Sequence, residues 1–403
     1  MHRCAGETPA QGCRQAALNP ISPIFFSDRR KGDMMNAGRV LVAGASGLIG
    51  TAAVAAFAAE GWHVVAFSRR APEVDRSARF EHVPVDLTDA AATRDAVAAL
   101  RPRPTHLVYA AAYEKPELVA GWSDPEQMTT NRAMLGNVLA PLAAEGGLRH
   151  ATVMQGTKAY GAHLHPIPIP ARERAPRDRH ENFYWHQEDL LRELADRHAF
   201  DWTIFRPVQV VGPAYGVAYC TPPVIGAFAA LSVATGIPFG FPGGTIHPVR
   251  QVVDARLVAG ALVWAATSPA AWGEHFNLTN GEVFSWQELW PALADAMGVP
   301  CAEPRPMSLA DELPRLAGAW EDIVTKHRLR ALSLLDVLGQ SHQYADYTFG
   351  YGLTSTPPPA LVSTVKVKQA GYTRVYDTEV TFRDALRTLV ERRVLPDLSG
   401  SAR

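Results

Sequence analysis

The sequence predicts an α/β fold: a doubly wound parallel sheet with a smaller C-terminal lobe. Two observations carry this expectation. Between residues 38 and 212 short apolar runs alternate with helical patterns, and the first of those runs opens directly into a glycine-spaced turn, GASGLIG, Gly44 to Gly50. Alternation of this kind builds a parallel sheet with helices on both faces, because each crossover must return across the sheet.

Taken in order, Arg39–Ala43 reads as the first strand and Thr51–Glu60 as an alanine-rich helix. His63–Phe67 and Phe80–Asp86 are the next strands, with helical material through Leu100. Thr105–Ala111 is a strand, Asn131–Leu142 lies within a helix, and Ala151–Gln155 is the fifth strand. A helix over Asn182–His198 leads to the strand Trp202–Pro207. Beyond Gly212 the regularity loosens, with frequent glycine and proline up to Gly244. The alanine-rich run ending at Ser268 reads as a helix, and His275–Leu278 as a brief return to the sheet. The expected division is a nucleotide-binding domain over 37–212, its sheet completed from within 248–280, and a mainly substrate-binding lobe over 213–403. Residues 1–36 lack a regular period and precede the first strand closely behind Met34 and Met35. They read as a disordered tail, with a targeting peptide as the alternative.

Each glycine of the turn has a physical task. Gly44 permits the sharp exit from the strand, Gly47 leaves room for a pyrophosphate near the backbone, and Gly50 lets the helix pack closely on the sheet. The helix N-terminus then faces the anion. With Ser46, Leu48 and Ile49 between the glycines, this segment is the expected dinucleotide site of a Rossmann fold. The second strand ends in Ser68-Arg69-Arg70, where an NAD-preferring enzyme usually carries a carboxylate for the ribose 2′-hydroxyl. Two guanidiniums match phosphate oxygens instead, so the cofactor expected is NADPH; the plain alternative is a solvated basic turn.

Bulk properties restrict the remaining choices. Of the 403 residues, 47% are hydrophobic and 20% charged, with a formal net charge of −1. Such a balance gives no support for nucleic acid or a membrane surface as partner. Cys4, Cys13, Cys220 and Cys301 show no metal-ligand spacing and read as free thiols of a reducing, cytoplasmic compartment. Of the histidines at 163, 165, 180 and 186, no two have helical His-x-x-x-His spacing, and a loop broken by Pro166, Pro168 and Pro170 is favoured over a metal site. Trp286 and Trp290, four apart, read as core, and Arg172–Arg179 as an exposed face.

The chemistry centres on Tyr184. In short-chain dehydrogenases a tyrosine on the helix after strand five is followed four residues later by lysine; here that position is Glu188. A carboxylate has the wrong charge to stabilise a tyrosinate. Lys158, on the loop after strand five, is placed to supply the ammonium instead. Glu188 and Asp189 themselves read as helix-surface or ribose-proximal groups, because adjacent helix residues diverge.

Several motifs recur in a fixed order. GxxGxxG is Gly44, Gly47 and Gly50, and W-x-V…RR is Trp62, Val64, Arg69 and Arg70. A CDV-like element is Val85-Asp86-Leu87, and GxKHY corresponds to Gly156, Lys158 and Tyr160. NFYYxxED corresponds to residues 182–189, and FN…NG…FxW…LW runs from Phe276 to Trp290. In these the chain resembles the progesterone 5β-reductase/iridoid synthase (PRISE)-like atypical short-chain dehydrogenases/reductases, extended members of the NAD-dependent epimerase/dehydratase superfamily.

The resemblance implies NADPH-dependent 1,4-reduction of an α,β-unsaturated carbonyl, a small enone or enal. Tyr184 would donate to the enolate oxygen, and Lys158 would add positive field and anchor the nicotinamide ribose. Asp86 and Leu87 would sit near the adenine, Arg69 and Arg70 on the 2′-phosphate, and the nicotinamide against Pro207 and Val208. Trp185 replaces the motif's second tyrosine, and Ala162-His163-Leu164 replaces a GPF element, which removes an aromatic wall and leaves the substrate open. Two rivals remain at this point: a sugar-nucleotide epimerase or dehydratase with tightly held NAD, and an NADP-sensing regulatory protein without turnover. The choice between monomer and homodimer stays open, and Tyr344–Gly352 is a candidate lid.

Overall fold

The computed structural model describes residues 38–400, positions 117 and 247 excepted. The expectations for residues 1–36, including the thiols of Cys4 and Cys13, lie outside the described residues.

The chain runs β1 (Arg39–Ala43), α1 (Leu48–Ala59), β2 (His63–Ser68), β3 (Phe80–Pro84), α2 (Ala90–Ala99), β4 (His106–Tyr109), α3 (Leu118–Gly121), α4 (Pro125–Ala144), β5 (His150–Met154), α5 (Phe183–His198) and β6 (Asp201–Pro207). There follow β7 (Gln209–Val211), α6 (Thr221–Thr235), β8 (Val252–Asp254), α7 (Ala255–Thr267) and β9 (Glu274–Leu278). The rest is helical: α8 (Trp286–Met297), α9 (Leu309–Arg315), α10 (Ala317–His327), α11 (Leu334–Leu338), α12 (Ser341–Phe349), α13 (Val365–Gln369) and α14 (Thr378–Glu391).

Seven strands form one sheet in the order β3-β2-β1-β4-β5-β6-β9, and every neighbouring pair is parallel. All five residues of β1 are buried, as a central parallel strand covered on both faces requires. The expected return of His275–Leu278 is β9, paired with β6 from Thr203↔Glu274 to Pro207↔Leu278. β7 and β8 form a separate parallel pair beside the sheet.

Two helices begin earlier than their apolar periodicity suggests, for reasons of local chemistry. The first turn of α1 is made by the motif itself, with Gly47 at the N-cap. α4 opens at Asp124-Pro125: the Asp124 carboxylate accepts from the backbone N–H groups of Glu126 and Gln127, and the proline sits at N1, where no donor is needed. Residues beyond 213 pack around an aromatic core that includes Phe228, Phe239, Trp286, Trp290, Phe349 and Phe382. Trp286 and Trp290 are core residues, as their spacing suggests. Most of the candidate lid Tyr344–Gly352 belongs to α12, which packs against α6 and α9.

The turn after β1 leaves no room for side chains at two positions. Gly44 has φ +80°, and a Cβ there would meet the backbone of Ala111 at 2.6 Å. A Cβ on Gly50 would strike the Gly44 carbonyl and lie 2.8 Å from Cα of Ala45. Since backbone cannot yield as a side chain does, we expect Gly50→Ala to cost about 1–3 kcal/mol of stability in urea denaturation. An unchanged midpoint with an unchanged slope would show that α1 can lift off β1 without penalty.

Candidate functional site

The carboxyl ends of β1, β2, β4, β5 and β6 open into one cavity of about 940 Å³. Its wall includes Gly44, Ser46, Gly47, Leu48, Ile49, Ser68, Arg69, Arg70, Asp86, Leu87, Lys158, Tyr184, Pro207 and Val208. Gly50 alone of the expected site residues is absent from the wall; it lies beneath, where α1 meets β1.

At the end lined by the glycine turn, the backbone is exposed to the cavity. A Cβ on Gly47 would meet only the Gly44 carbonyl, at 3.3 Å. An approaching diphosphate therefore finds bare backbone at the start of a 12-residue helix, a fit in both shape and dipole. The Ser68 hydroxyl donates to the Arg70 carbonyl (2.6 Å) and fixes the bend that follows β2. Arg69 and Arg70 are exposed, and neither forms an ion pair among the described residues. Asp86 accepts from the backbone N–H (3.0 Å) and hydroxyl (2.8 Å) of Thr88. Those bonds, together with the charge of Arg69, hold its carboxyl below the usual range.

At the other end a single amide positions both expected chemical groups. Asn182 caps α5 by accepting from the Tyr184 N–H (3.0 Å) and donates to the carbonyl of Lys158 (3.3 Å). Lys158 itself sits in a one-turn 3₁₀ helix, Thr157–Tyr160, directly after β5. Tyr184 is half-buried on the cavity wall; desolvation and the nearby Glu114 carboxylate both raise the pKa of its phenol, so it stays protonated at neutral pH. Lys158 Nζ lies 4.1 Å from the ring centre of Trp122 and donates to the Tyr219 hydroxyl at 3.3 Å. Burial brings its pKa down to about 8, against the opposing pull of Glu114.

Glu114, Tyr219 and Trp122 are residues that motif reading missed. Glu114 follows β4, at the sheet edge where ligands of this fold class bind. Its pKa is raised by burial; Gln127 donates to it at 2.7 Å, and the Tyr219 hydroxyl donates to it as well. Trp122 Nε1 donates to the same hydroxyl at 2.7 Å. Tyr219 has φ +65°, a costly conformation for a residue with a Cβ, which this set of bonds holds in place. With Tyr344 and Tyr347, these side chains give the cavity an aromatic wall.

One reading of the sequence needs correction. Glu188 is neither on the helix surface nor beside the cavity; it is 2% exposed. Arg177 and Arg192 lie at 3.0 Å, His275 at 3.1 Å and Arg206 at 3.8 Å, and the Gln155 amide donates at 3.0 Å. Burial alone would raise its pKa, but these partners hold it well below the carboxylate range. Helical spacing cannot reveal such a role, since three of the partners come from β6, β9 and the end of β5. Asp189 is exposed and pairs with Arg177 at 2.6 Å. Arg177, itself exposed, thus bridges the exposed Asp189 and the buried Glu188. Among the described residues no histidine, cysteine and carboxylate cluster is arranged for a metal ion, and no helix is long and apolar enough to cross a membrane. Cys220 and Cys301 are free thiols.

Because Glu114 opposes the desolvation of Lys158, its removal should weaken the ammonium further. In a pH titration of the reductively ¹³C-methylated protein, Lys158 should lose its charge near pH 8, and Glu114→Gln should move that loss to lower pH. A titration that does not shift in the variant refutes the coupling.

Comparison with known proteins agrees with this architecture. Residues 40–279 match the NAD dependent epimerase/dehydratase family. An (S)-8-oxocitronellyl enol synthase of Antirrhinum majus is 27% identical, the alignment covering 98% of both chains. A 3-oxo-Delta(4,5)-steroid 5-beta-reductase of Arabidopsis thaliana is 29% identical over 68% of this chain and 73% of its own length. Among solved structures, the Thermus thermophilus UDP-glucose 4-epimerase complex with NAD superposes with a TM-score of 0.59 at 21% identity, covering 87% of this chain and 98% of the epimerase. The last likeness concerns the fold.

Proposed function

The chain belongs to the NAD dependent epimerase/dehydratase family, among its PRISE-like members, and from that membership we propose an NADPH-dependent reductase of small α,β-unsaturated carbonyl compounds. One observation carries the reading. Tyr184 and Lys158 face the same cavity as the glycine turn and the two unpaired arginines, while Glu188 is engaged elsewhere by a cluster of guanidiniums.

The cofactor, when bound, supplies a hydride. The glycine turn would hold its diphosphate, Arg69 and Arg70 its 2′-phosphate, Asp86 and Leu87 its adenosine end, and Pro207 and Val208 its nicotinamide end. Residues 37–212 would thus hold the cofactor and 213–403 mainly shape the substrate end.

Conjugate reduction moves negative charge onto the substrate's carbonyl oxygen, and the protein's contribution is to stabilise it. The Tyr184 hydroxyl stays protonated and so donates a hydrogen bond that strengthens as the enolate forms. The Lys158 ammonium, in low-dielectric surroundings, adds a positive field worth more than in water. Glu114 keeps that ammonium charged, and Asn182 holds both groups in register. The aromatic wall excludes water from the developing charge.

A UDP-sugar epimerase reading is less well supported, since no carboxylate stands at the end of β2 and Glu188 stands where those enzymes keep lysine.

The decisive experiment follows NADPH absorbance with a panel of small and steroid-sized enones and enals. Enone-dependent oxidation should fall about 10²–10³-fold in kcat for Tyr184→Phe, the loss typical of one oxyanion donor. NADPH binding with no oxidation by any compound would leave only a cofactor site. Preference for the cofactor is read separately. Arg69→Ala combined with Arg70→Ala should reduce the NADPH-to-NADH ratio of kcat/KM by about 10–100-fold, as expected for lost bonds between guanidinium and phosphate. An unaltered ratio would reduce the pair to a solvated turn.

A further inference from the structure

Arg250 is a cation without a counter-ion on the wall of the same cavity. It lies two residues before the short strand β8. Its backbone is pinned from both directions: its N–H donates to the Phe284 carbonyl (2.7 Å), and the Phe284 N–H donates to its carbonyl (3.0 Å). The side chain has no such anchorage. Its Nε is shielded from solvent and has no hydrogen-bond partner, and among the described residues the guanidinium forms no ion pair. Among the described residues the titratable groups that act on it are Tyr344 and Tyr347 of α12, and no carboxylate does. Burial pushes its pKa down from the ordinary value.

That arrangement is an exception in this molecule. Of the two arginines buried outright among the described residues, Arg39 has Glu81 at 2.7 Å and Arg206 has Glu188 at 3.8 Å. The carboxylates on the cavity wall are already engaged, Asp86 by Thr88 and Glu114 by Gln127 and Tyr219. Neighbouring amides are committed too. Gln251 bonds the backbone of Val362 in both directions, and Gln209 bonds Thr221 and Thr348. A desolvated guanidinium costs free energy unless an anion pairs with it. Among the described residues none is placed to do so, and the open side of Arg250 is the cavity, so we look for the partner in what enters it.

We propose that Arg250 anchors a carboxylate on the substrate, so that the compound reduced is an unsaturated carbonyl acid, its carbonyl at Tyr184 and its carboxylate at Arg250. This identification rests on the reductase reading above. A guanidinium suits the task because its planar fork donates two parallel hydrogen bonds to a carboxylate. The rings of Trp122, Tyr219, Tyr344 and Tyr347 then cover the apolar part of the molecule between the two polar ends.

The test uses the full chain with NADPH and two acids, 3-benzoylacrylate and 4-carboxycinnamaldehyde, each against its own methyl ester. Wild type should favour the acids by about 10–100-fold in kcat/KM, mostly through KM. That ratio should fall toward parity in Arg250→Met and be partly retained in Arg250→Lys. Acids and esters reduced equally by wild type, or a preference that survives Arg250→Met, would overturn the proposal while leaving the reductase reading intact.

A second measurement does not depend on turnover. Calorimetry with 3-benzoylpropionate and its methyl ester should show acid binding that Arg250→Met abolishes. Binding of this kind with no enone reduced would sink the reductase reading and retain the anion site. Binding of UDP that requires Arg250, with no binding of the acid, would make the residue a phosphate contact and overturn the carboxylate assignment.

Discussion

The side-chain amide of Asn182 is the constraint that sets Tyr184 and Lys158 relative to each other. Its oxygen receives the Tyr184 N–H and starts α5; its nitrogen holds the carbonyl of Lys158. Two residues 26 positions apart in sequence therefore share a single reference point. The N-cap bond alone contributes about 1 kcal/mol to helix stability. Its greater effect is geometric, because oxyanion donors act only when they are already aimed at the place where charge develops.

Charge is distributed around that reference point with little overlap. Glu188 takes the guanidiniums of Arg177 and Arg192, so neither faces the cavity as a competing cation. Glu114 lies on the cavity side and tempers the burial of Lys158. Exchanging lysine for glutamate on the helix is thus a relocation of positive charge from α5 to the turn after β5. Gln155, on the cavity wall, ties into the Glu188 cluster: its amide donates to Glu188 at 3.0 Å and its oxygen accepts from Arg206 at 2.8 Å.

The sheet was legible because parallel strands buried on both faces are continuous apolar runs, and β1, β2, β4 and β5 appear within a residue or two of where the pattern puts them. Helix starts were less so, since Asp124-Pro125 and the glycine turn act through capping rather than periodicity. At the site, residues tied to a local motif were readable, and Gly44, Lys158 and Tyr184 do line one cavity. Residues whose role arises from tertiary partners were not. Glu188 reads as surface because its partners sit on distant strands, and nothing local marks Tyr219 for a left-handed backbone. Glu114 carried a signal that position alone offers, a carboxylate just past the end of an inner strand.

The pairing of β9 with β6 has a consequence for how the chain is made. Between the end of β6 at Pro207 and the start of β9 at Glu274 lie β7, α6, β8 and α7. During synthesis the sheet therefore has a bare edge on β6, with unpaired N–H and C=O groups and apolar faces, until residue 278 has left the ribosome. Such edges are templates for wrong partners. The segment that closes this edge also carries Tyr219 and Arg250 to the cavity wall, so truncations that stop at the end of β6 would leave the sheet open to aggregation.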